Sequence, residues 1–145
     1  MLKKFVAVFA LLFSIAALTG CTPTKTDTTP KTGMVIESAC VTATDDAGTS
    51  FVYAKITNYL NATVTLTGGS TDDGFEALVT KDGMDSQITI KEGVDIHVNQ
   101  TLELKDSGKH LTLSKLTKPI AHGDKVLFTF KFNGAQAQTV VLTAK

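Results

Sequence analysis

Apolar residues alternate with threonine, lysine and glutamate along most of the chain after residue 34. Segments such as Ala62–Thr67 (ATVTLT) and Lys125–Phe132 (KVLFTFKF) show this period of two. Successive side chains of a β-strand point to opposite faces, so the alternation is typical of a sheet with one buried face and one wet face. No segment of this part of the chain has a convincing helical period. The pattern therefore predicts an all-β domain.

Short polar segments rich in glycine, aspartate and asparagine separate the predicted strands and are typical of turns. Asn133-Gly134 is the strongest hairpin signal among them, because both residues tolerate positive φ. Short strands spaced by about 8–12 residues and joined by such turns predict an antiparallel sandwich. The predicted strands are 35–41, 50–57, 62–67, 74–79, 87–90, 95–98, 101–104, 109–113, 125–132 and 137–143.

The first twenty residues have the pattern of a targeting segment. Lys3 and Lys4 precede an apolar run, Phe5–Leu18, that is too short for a comfortable membrane span. Leu18–Cys21 (LTGC) then matches the bacterial lipobox, in which cleavage before the cysteine is coupled to diacylation of its sulfur. We therefore predict a lipoprotein signal peptide over residues 1–20 and lipidation of Cys21. The alternative is an ordinary secretion signal in which Cys21 is coincidental.

Residues 21–33 are rich in threonine, proline and lysine and have no apolar period. Such a segment cannot bury enough surface to fold, so it is predicted to be a flexible tether. Residues 34–145 have the length of one domain. Because acyl chains contribute about 0.8 kcal/mol per buried methylene, a multiply acylated Cys21 would hold this domain on a bacterial membrane, facing outside the cytoplasm.

Charge and cysteine content exclude some functions. The chain has no arginine, and without Lys3 and Lys4 its 14 lysines fall to 12 against 14 acidic residues, a difference of −2. With no basic cluster, nucleic-acid binding is not expected. If Cys21 carries lipid, Cys40 is left without an intramolecular partner and is expected to be a small buried hydrophobe, with a ligand or redox role as the alternative.

The chain lacks the common motifs of catalysis. It has no Gly-x-Ser-x-Gly elbow, no phosphate-binding glycine loop and no closely spaced histidine or cysteine pair of a zinc site. The sequence therefore predicts a protein that is not an enzyme.

Two segments resemble a known family. Gly108–Lys125 contains Gly-Lys-His-Leu-Thr, a Leu-Thr-Lys-Pro-Ile turn and a Gly-Asp that leads into the last hairpin. Tyr53–Asn58 ends a strand with aromatic-x-x-Ile-x-Asn. Both are similar to the periplasmic copper chaperones written PCu(A)C, and the resemblance extends from about Val35 to Leu142. It implies a Greek-key, cupredoxin-like β-sandwich that binds Cu(I) and delivers it to cytochrome oxidase.

The resemblance also implies a four-ligand copper site, of which this chain keeps one ligand. The family uses an upstream His, a Met after a glycine-containing turn, and a downstream His-x-Met, because thioether sulfur and imidazole suit the soft Cu(I) ion. The retained ligand is His110. The other three positions hold Leu78, Gln87 and Thr112.

A re-formed site is one interpretation of this loss. Met84 follows the glycine of the same turn and could join His110, with His97 as a further donor, while Met34 precedes the first strand. Alternatively, His110 is a partly buried hydrogen-bonding residue and Met84 packs under its loop. His122 is expected to be a solvated turn residue.

Two functions follow from these alternatives. The first is a membrane-tethered lipoprotein that captures Cu(I) through His110 and Met84 and passes it to a membrane-bound acceptor. The second is a copper-free envelope lipoprotein that serves as a structural or protein-interaction module. A solute-binding lipoprotein is a weaker third possibility, since it rests on the lipobox alone.

Overall fold

The computed structural model describes residues 31–84 and 86–145. The predicted signal peptide, the predicted lipidation site at Cys21 and most of the predicted tether lie outside the described residues. Within the described ranges the secondary structure consists of strands and turns, without a helix, so the predicted all-β class is confirmed. No helix in this part of the chain is long and apolar enough to span a membrane.

The described residues form ten strands, and the predicted strands match them closely. The bounds predicted for β7 and β8 are those observed, and the other strands differ by a few residues at their ends. The strands are β1 (Met34–Val41), β2 (Ser50–Asn58), β3 (Val64–Thr71), β4 (Glu76–Asp82), β5 (Gln87–Thr89), β6 (Val94–Ile96), β7 (Thr101–Leu104), β8 (Lys109–Leu113), β9 (Lys125–Asn133) and β10 (Gln138–Ala144).

Seven of these strands close into a barrel in the order β4-β8-β2-β1-β10-β9-β3, with β3 paired back to β4. The short strands β5, β6 and β7 pair with β4, β3 and β2, respectively, and add to this ring. The β1–β10 pair is parallel, so the expectation of a wholly antiparallel sheet is wrong at this position. A Greek-key sandwich is a finer description that this pairing does not confirm, and it stays a prediction.

Closure of the barrel depends on two glycines at a bulge in β3. At Gly68 the φ angle is 150°, and an added Cβ would lie 2.6 Å from the carbonyl oxygen of Ala77 on β4. At Gly69 an added Cβ would lie 2.3 Å from Cζ of Phe128 on β9. Glycine therefore lets β3 approach both neighbours, and the β3–β4 pairs that close the ring begin at Gly69.

The barrel interior is aliphatic with a small aromatic contribution. Phe128 and Phe130 on β9 are fully buried and meet edge to face, with ring centroids 4.9 Å apart. The other large, fully buried apolar side chains come from six more strands and are Val41, Val52, Ile56, Val64, Leu66, Ile96, Leu111, Leu113 and Leu142. Their alternation with polar residues explains why the period-two pattern predicted the strands.

The hairpin predicted at Asn133-Gly134 joins β9 and β10, but its turn is longer than two residues. The β9–β10 pairing ends at Phe130 and Gln138. Beyond that point Phe132 and Asn133 still pair with β3, on the other side of β9, and of the two turn residues only Gly134 adopts positive φ. The connection between the last paired residues, Phe130 and Gln138, is therefore longer than the two-residue turn that the dipeptide favours.

The asparagine of the Tyr53–Asn58 motif has a structural role. Asn58 is fully buried, and its side-chain amide donates to the carbonyl oxygens of Ala62 and Ile96, both at 2.8 Å. Its side-chain oxygen accepts from the backbone N–H of Leu60 at 2.9 Å. One side chain thus fixes the turn after β2 and ties it to β6, which accounts for asparagine at this position.

Candidate site around His110

His110 lies on β8 between β4 and β2, and 2% of it is exposed. Side chains alternate between the two faces of a strand. Leu111 and Leu113 of β8 point into the core, so the imidazole of His110 lies on the opposite face of the sheet. The Phe51 ring and the imidazole are nearly perpendicular, with centroids 5.2 Å apart, and the Tyr53 ring is similarly oriented at 6.3 Å. Side chains of β2 therefore cover the histidine.

The two nitrogens of His110 have different surroundings. Nε2 lies 3.3 Å from the side-chain nitrogen of Gln87, at the start of β5. Nδ1 is buried and has no hydrogen-bond partner within the described part of the chain. In the recorded orientation the Gln87 amide donates to Nε2, which leaves the ring proton on Nδ1 without an acceptor. Leaving such a group unpaired costs about 1–3 kcal/mol, so the histidine is not explained by packing alone.

Thr112, which replaces the downstream Met of the family, has a hydroxyl that is already hydrogen-bonded. Thr112 on β8 is nearly buried, and its Oγ1 lies 2.6 Å from Oγ1 of Thr80 on β4. Leu78, at the position of the upstream His, is the cross-strand partner of Thr112 and is 53% exposed. The four positions identified by resemblance therefore do come together, but three of them hold residues that do not bind Cu(I).

Tyr53 connects this cluster to acidic residues. Its hydroxyl donates to Oδ1 of Asp106 at 3.3 Å. Burial, followed by the negative charge and hydrogen bond of Asp106 and then the charge of Asp82, raises the pKa of Tyr53 to about 12. The phenol beside His110 is therefore protonated at neutral pH.

Met84 does not pack under its loop. It lies in the turn between β4 and β5, where the Gly83 N–H donates to the Ser86 carbonyl at 2.9 Å, and its side chain is fully exposed. That alternative for Met84 is wrong. Its role as a ligand stays a prediction, since it requires the turn to rearrange toward His110.

His97 lies at the other end of β2. It is exposed after β6, with Nδ1 3.1 Å from the Thr63 hydroxyl, and its loop bonds to Asn58 through Asn99. Asn58 follows Tyr53 by five residues, or roughly 16 Å of extended strand. The structure therefore does not bring His97 together with His110.

Of three other residues singled out in the sequence, Met34 and His122 lie away from this cluster, whereas Cys40 on β1 pairs with Tyr53 on β2. Met34 is buried at the start of β1, where it pairs with Asn58. His122 is exposed in a turn, as predicted. Cys40 is buried and disulfide-bonded, so the expectation of an unpaired thiol is wrong.

The donor set around His110 fits Cu(I) only in part. The described residues contain no group of three histidine, cysteine, aspartate or glutamate side chains that could hold a metal ion. His110 supplies an imidazole, whereas threonine, glutamine and tyrosine, its polar neighbours, are poor ligands for a soft ion. Sequence reasoning missed Phe51 and Thr80, which the alternation along β2 and β4 could have placed on the same face as His110.

Comparison with solved structures identifies the fold. The copper-bound PCuAC domain from PmoF2 is 15% identical, with a TM-score of 0.64 over 77% of this chain and 92% of that domain. The apo PCuAC domain from PmoF1 is 18% identical with the same TM-score and coverage. The Cu(I) form of DR1885 from Deinococcus radiodurans is 22% identical, with a TM-score of 0.57 over 80% of this chain and 78% of that one.

Comparison with protein families gives the same relationship. The model of the LpqE-like family, which is named for a lipoprotein, matches residues 34–144. No curated protein matches the chain. The resemblance to PCu(A)C domains is thus confirmed in the fold, and the chain belongs to the LpqE-like family.

Proposed function

We propose that this protein is an envelope lipoprotein that captures Cu(I) at His110 and passes it to a membrane-bound acceptor such as cytochrome oxidase. The observation that carries the proposal is a buried imidazole at the one retained ligand position, with an unpaired Nδ1, in a fold shared with a copper-bound PCuAC domain. The proposal includes a Greek-key, cupredoxin-like arrangement of the strands and membrane anchoring through Cys21.

Capture would use two residues of this chain. His110 supplies imidazole nitrogen, and Met84 supplies the thioether that Cu(I) prefers. Gln87 contacts Nε2 of His110, so its amide must leave before that nitrogen can act as a donor. Because Met84 and Gln87 belong to the same short hairpin after β4, rearrangement of this hairpin would affect both side chains.

A second candidate function is favoured by the replaced positions. Thr112 is satisfied by Thr80, and Leu78 presents an exposed apolar side chain where the family has an imidazole. A copper-free interaction module of the envelope needs no further ligand. In that case the cluster around His110 is a structural remnant and the outer surface carries the function.

A Cu(I) competition titration of the purified mature protein decides between these candidates. His110→Ala is expected to lower the Cu(I) affinity at least tenfold, because it removes the only retained ligand. Met84→Ala is expected to lower it less, and His122→Ala, which alters an exposed turn histidine, should leave it unchanged. If the wild type binds Cu(I) no more tightly than His110→Ala, the copper-carrier proposal fails.

A gain-of-ligand variant in the same titration tests the mapping of the site. Leu78→His combined with Gln87→Met and Thr112→Met restores the family's four ligand types. Strong binding by this variant and none by the wild type would support the copper-free function. Absence of binding in both would show that the positions are mapped incorrectly. A pull-down from membranes with and without a copper chelator then separates copper-dependent from copper-independent partners.

A further inference from the structure

A cavity lies at the opposite end of β4 from the hairpin that contacts His110. It has a volume of about 400 Å³, which is within the range of sites for small molecules. Phe75, just before β4, and Lys118, after β8, both line it. His110 pairs with Thr80, five residues beyond Phe75, so the two sites are separated by roughly 16 Å along the strand.

One wall of this cavity, here called the Asp72 cleft, is formed by apolar side chains, whereas most of its exposed lining is polar. Leu116 and Ile120 are nearly buried, and Phe75 and Val126 are half-buried, so each leaves some surface facing the cleft. Hydrogen bonds from two backbone N–H groups hold this wall in place. The Leu116 N–H donates to the Gly48 carbonyl at 3.0 Å, and the Ile120 N–H donates to the Thr44 hydroxyl at 2.7 Å. The cleft can therefore hold an apolar body of a few carbon atoms.

The rim carries charges of both signs. Lys118 and Asp73 form an exposed ion pair at 3.7 Å, which is worth little and is easily exchanged. Asp72 and Lys125 have opposite charges, yet neither makes an ion pair with any described residue. The Asp72 N–H donates to the Leu127 carbonyl, two residues after Lys125, so both charges belong to the same side of the rim.

We propose that the Asp72 cleft binds a small zwitterion with an apolar body, of the class of free apolar amino acids. The ammonium group pairs with Asp72, the carboxylate pairs with Lys125, and the side chain rests on Phe75 and Val126. A ligand with both charges satisfies both rim residues at once, which neither a simple amine nor a simple acid does. This site is separate from the proposed copper function and does not depend on it.

The test uses L-leucine as the probe and amide chemical shifts of the isotopically labelled mature protein as the readout. Leucine is expected to cause saturable shifts at residues that line the cleft and none at His110. Isoamylamine, which lacks the carboxylate, and 4-methylpentanoate, which lacks the ammonium, should each bind about tenfold more weakly, because each leaves one charged partner unpaired.

Matched variants connect the binding to the rim. Asp72→Asn and Lys125→Gln should each weaken leucine binding about tenfold. Lys131→Gln, which alters an exposed lysine paired with Glu76 outside the cleft, should not. Asp72 and Lys125 are exposed and the Lys131 side chain is 43% exposed, so the variants are expected to fold, and this is checked by circular dichroism. The proposal is overturned if leucine causes no saturable shifts, if the three probes bind equally, or if the shifts centre on His110.

Discussion

At the scale of single residues, the surroundings of Tyr53 have a measurable consequence. The phenol lies against His110 and donates to Asp106, and its pKa is raised to about 12 from an ordinary value of 10.0. Desolvation and a neighbouring carboxylate both disfavour the phenolate. The folded protein therefore binds this proton more tightly than the unfolded chain does.

This raised pKa predicts a loss of stability at alkaline pH. The contribution of Tyr53 is fully present below pH 10 and disappears as the pH rises through about 12. Urea unfolding of the wild type across this range should show a steeper loss of stability than Tyr53→Phe, which cannot ionise. Tyrosinate absorbance provides the control, because the transition removed by the substitution must lie above the ordinary tyrosine value. A transition at the ordinary value would contradict the prediction.

For the candidate site, the sequence could predict which residues belong to it but not the contacts that those residues make. The motif placed His110, Leu78, Gln87 and Thr112 in one site, and they do lie together on β4, β5 and β8. The contact between Thr80 and Thr112 depends on strand register, and the burial of His110 depends on rings from β2. Register and side-chain packing are tertiary properties, so they could not be read from one strand at a time.

At the scale of elements, strand β3 contains a bulge and packs unusually close to both of its neighbours, β4 and β9. Gly69 is the position at which it contacts both β4 and the Phe128 ring of β9. A Cβ there would meet backbone and aromatic atoms at distances that side chains do not tolerate. Barrel closure should therefore be sensitive to a single added methyl group.

We expect Gly69→Ala to lower the free energy of unfolding by about 1–3 kcal/mol through overpacking against Phe128. The matched control is Gly108→Ala before β8, where the nearest atom to an added Cβ is Cγ of Lys105 at 3.6 Å, an ordinary contact. Urea denaturation of both variants measures the difference. Equal stability of the two variants would show that β3 adjusts and that closure does not depend on this glycine.

At the scale of the whole molecule, lipidation of Cys21 and an intramolecular disulfide would both require the same sulfur atom. The chain has two cysteines, and Cys40 is disulfide-bonded. A sulfur at position 21 that carries a diacylglyceryl group cannot also bond to Cys40. The proposed lipoprotein therefore requires Cys40 to be reduced or joined to another molecule.

Intact mass spectrometry of the protein extracted from membranes tests this requirement. We expect the mass of a chain that begins at Cys21 and carries lipid, and we expect Cys21→Ala to abolish both the lipid mass and membrane association. Cys40→Ala is the matched control and should retain both. An unlipidated wild-type mass that increases by two hydrogen atoms on reduction would contradict the anchoring proposal and support an intramolecular disulfide.

The all-β class and nearly all strand positions follow from the sequence alone, because period-two alternation and turn residues are local properties. The family relationship was indicated by the resemblance of the segments around Tyr53 and His110. Tertiary structure alone decided the barrel closure through Gly68 and Gly69, the parallel β1–β10 pair and the longer turn after β9. It also decided the surroundings of His110, including the unpaired Nδ1. These features depend on which strands become neighbours and in what register, and that choice minimises the free energy of the whole chain rather than of any segment.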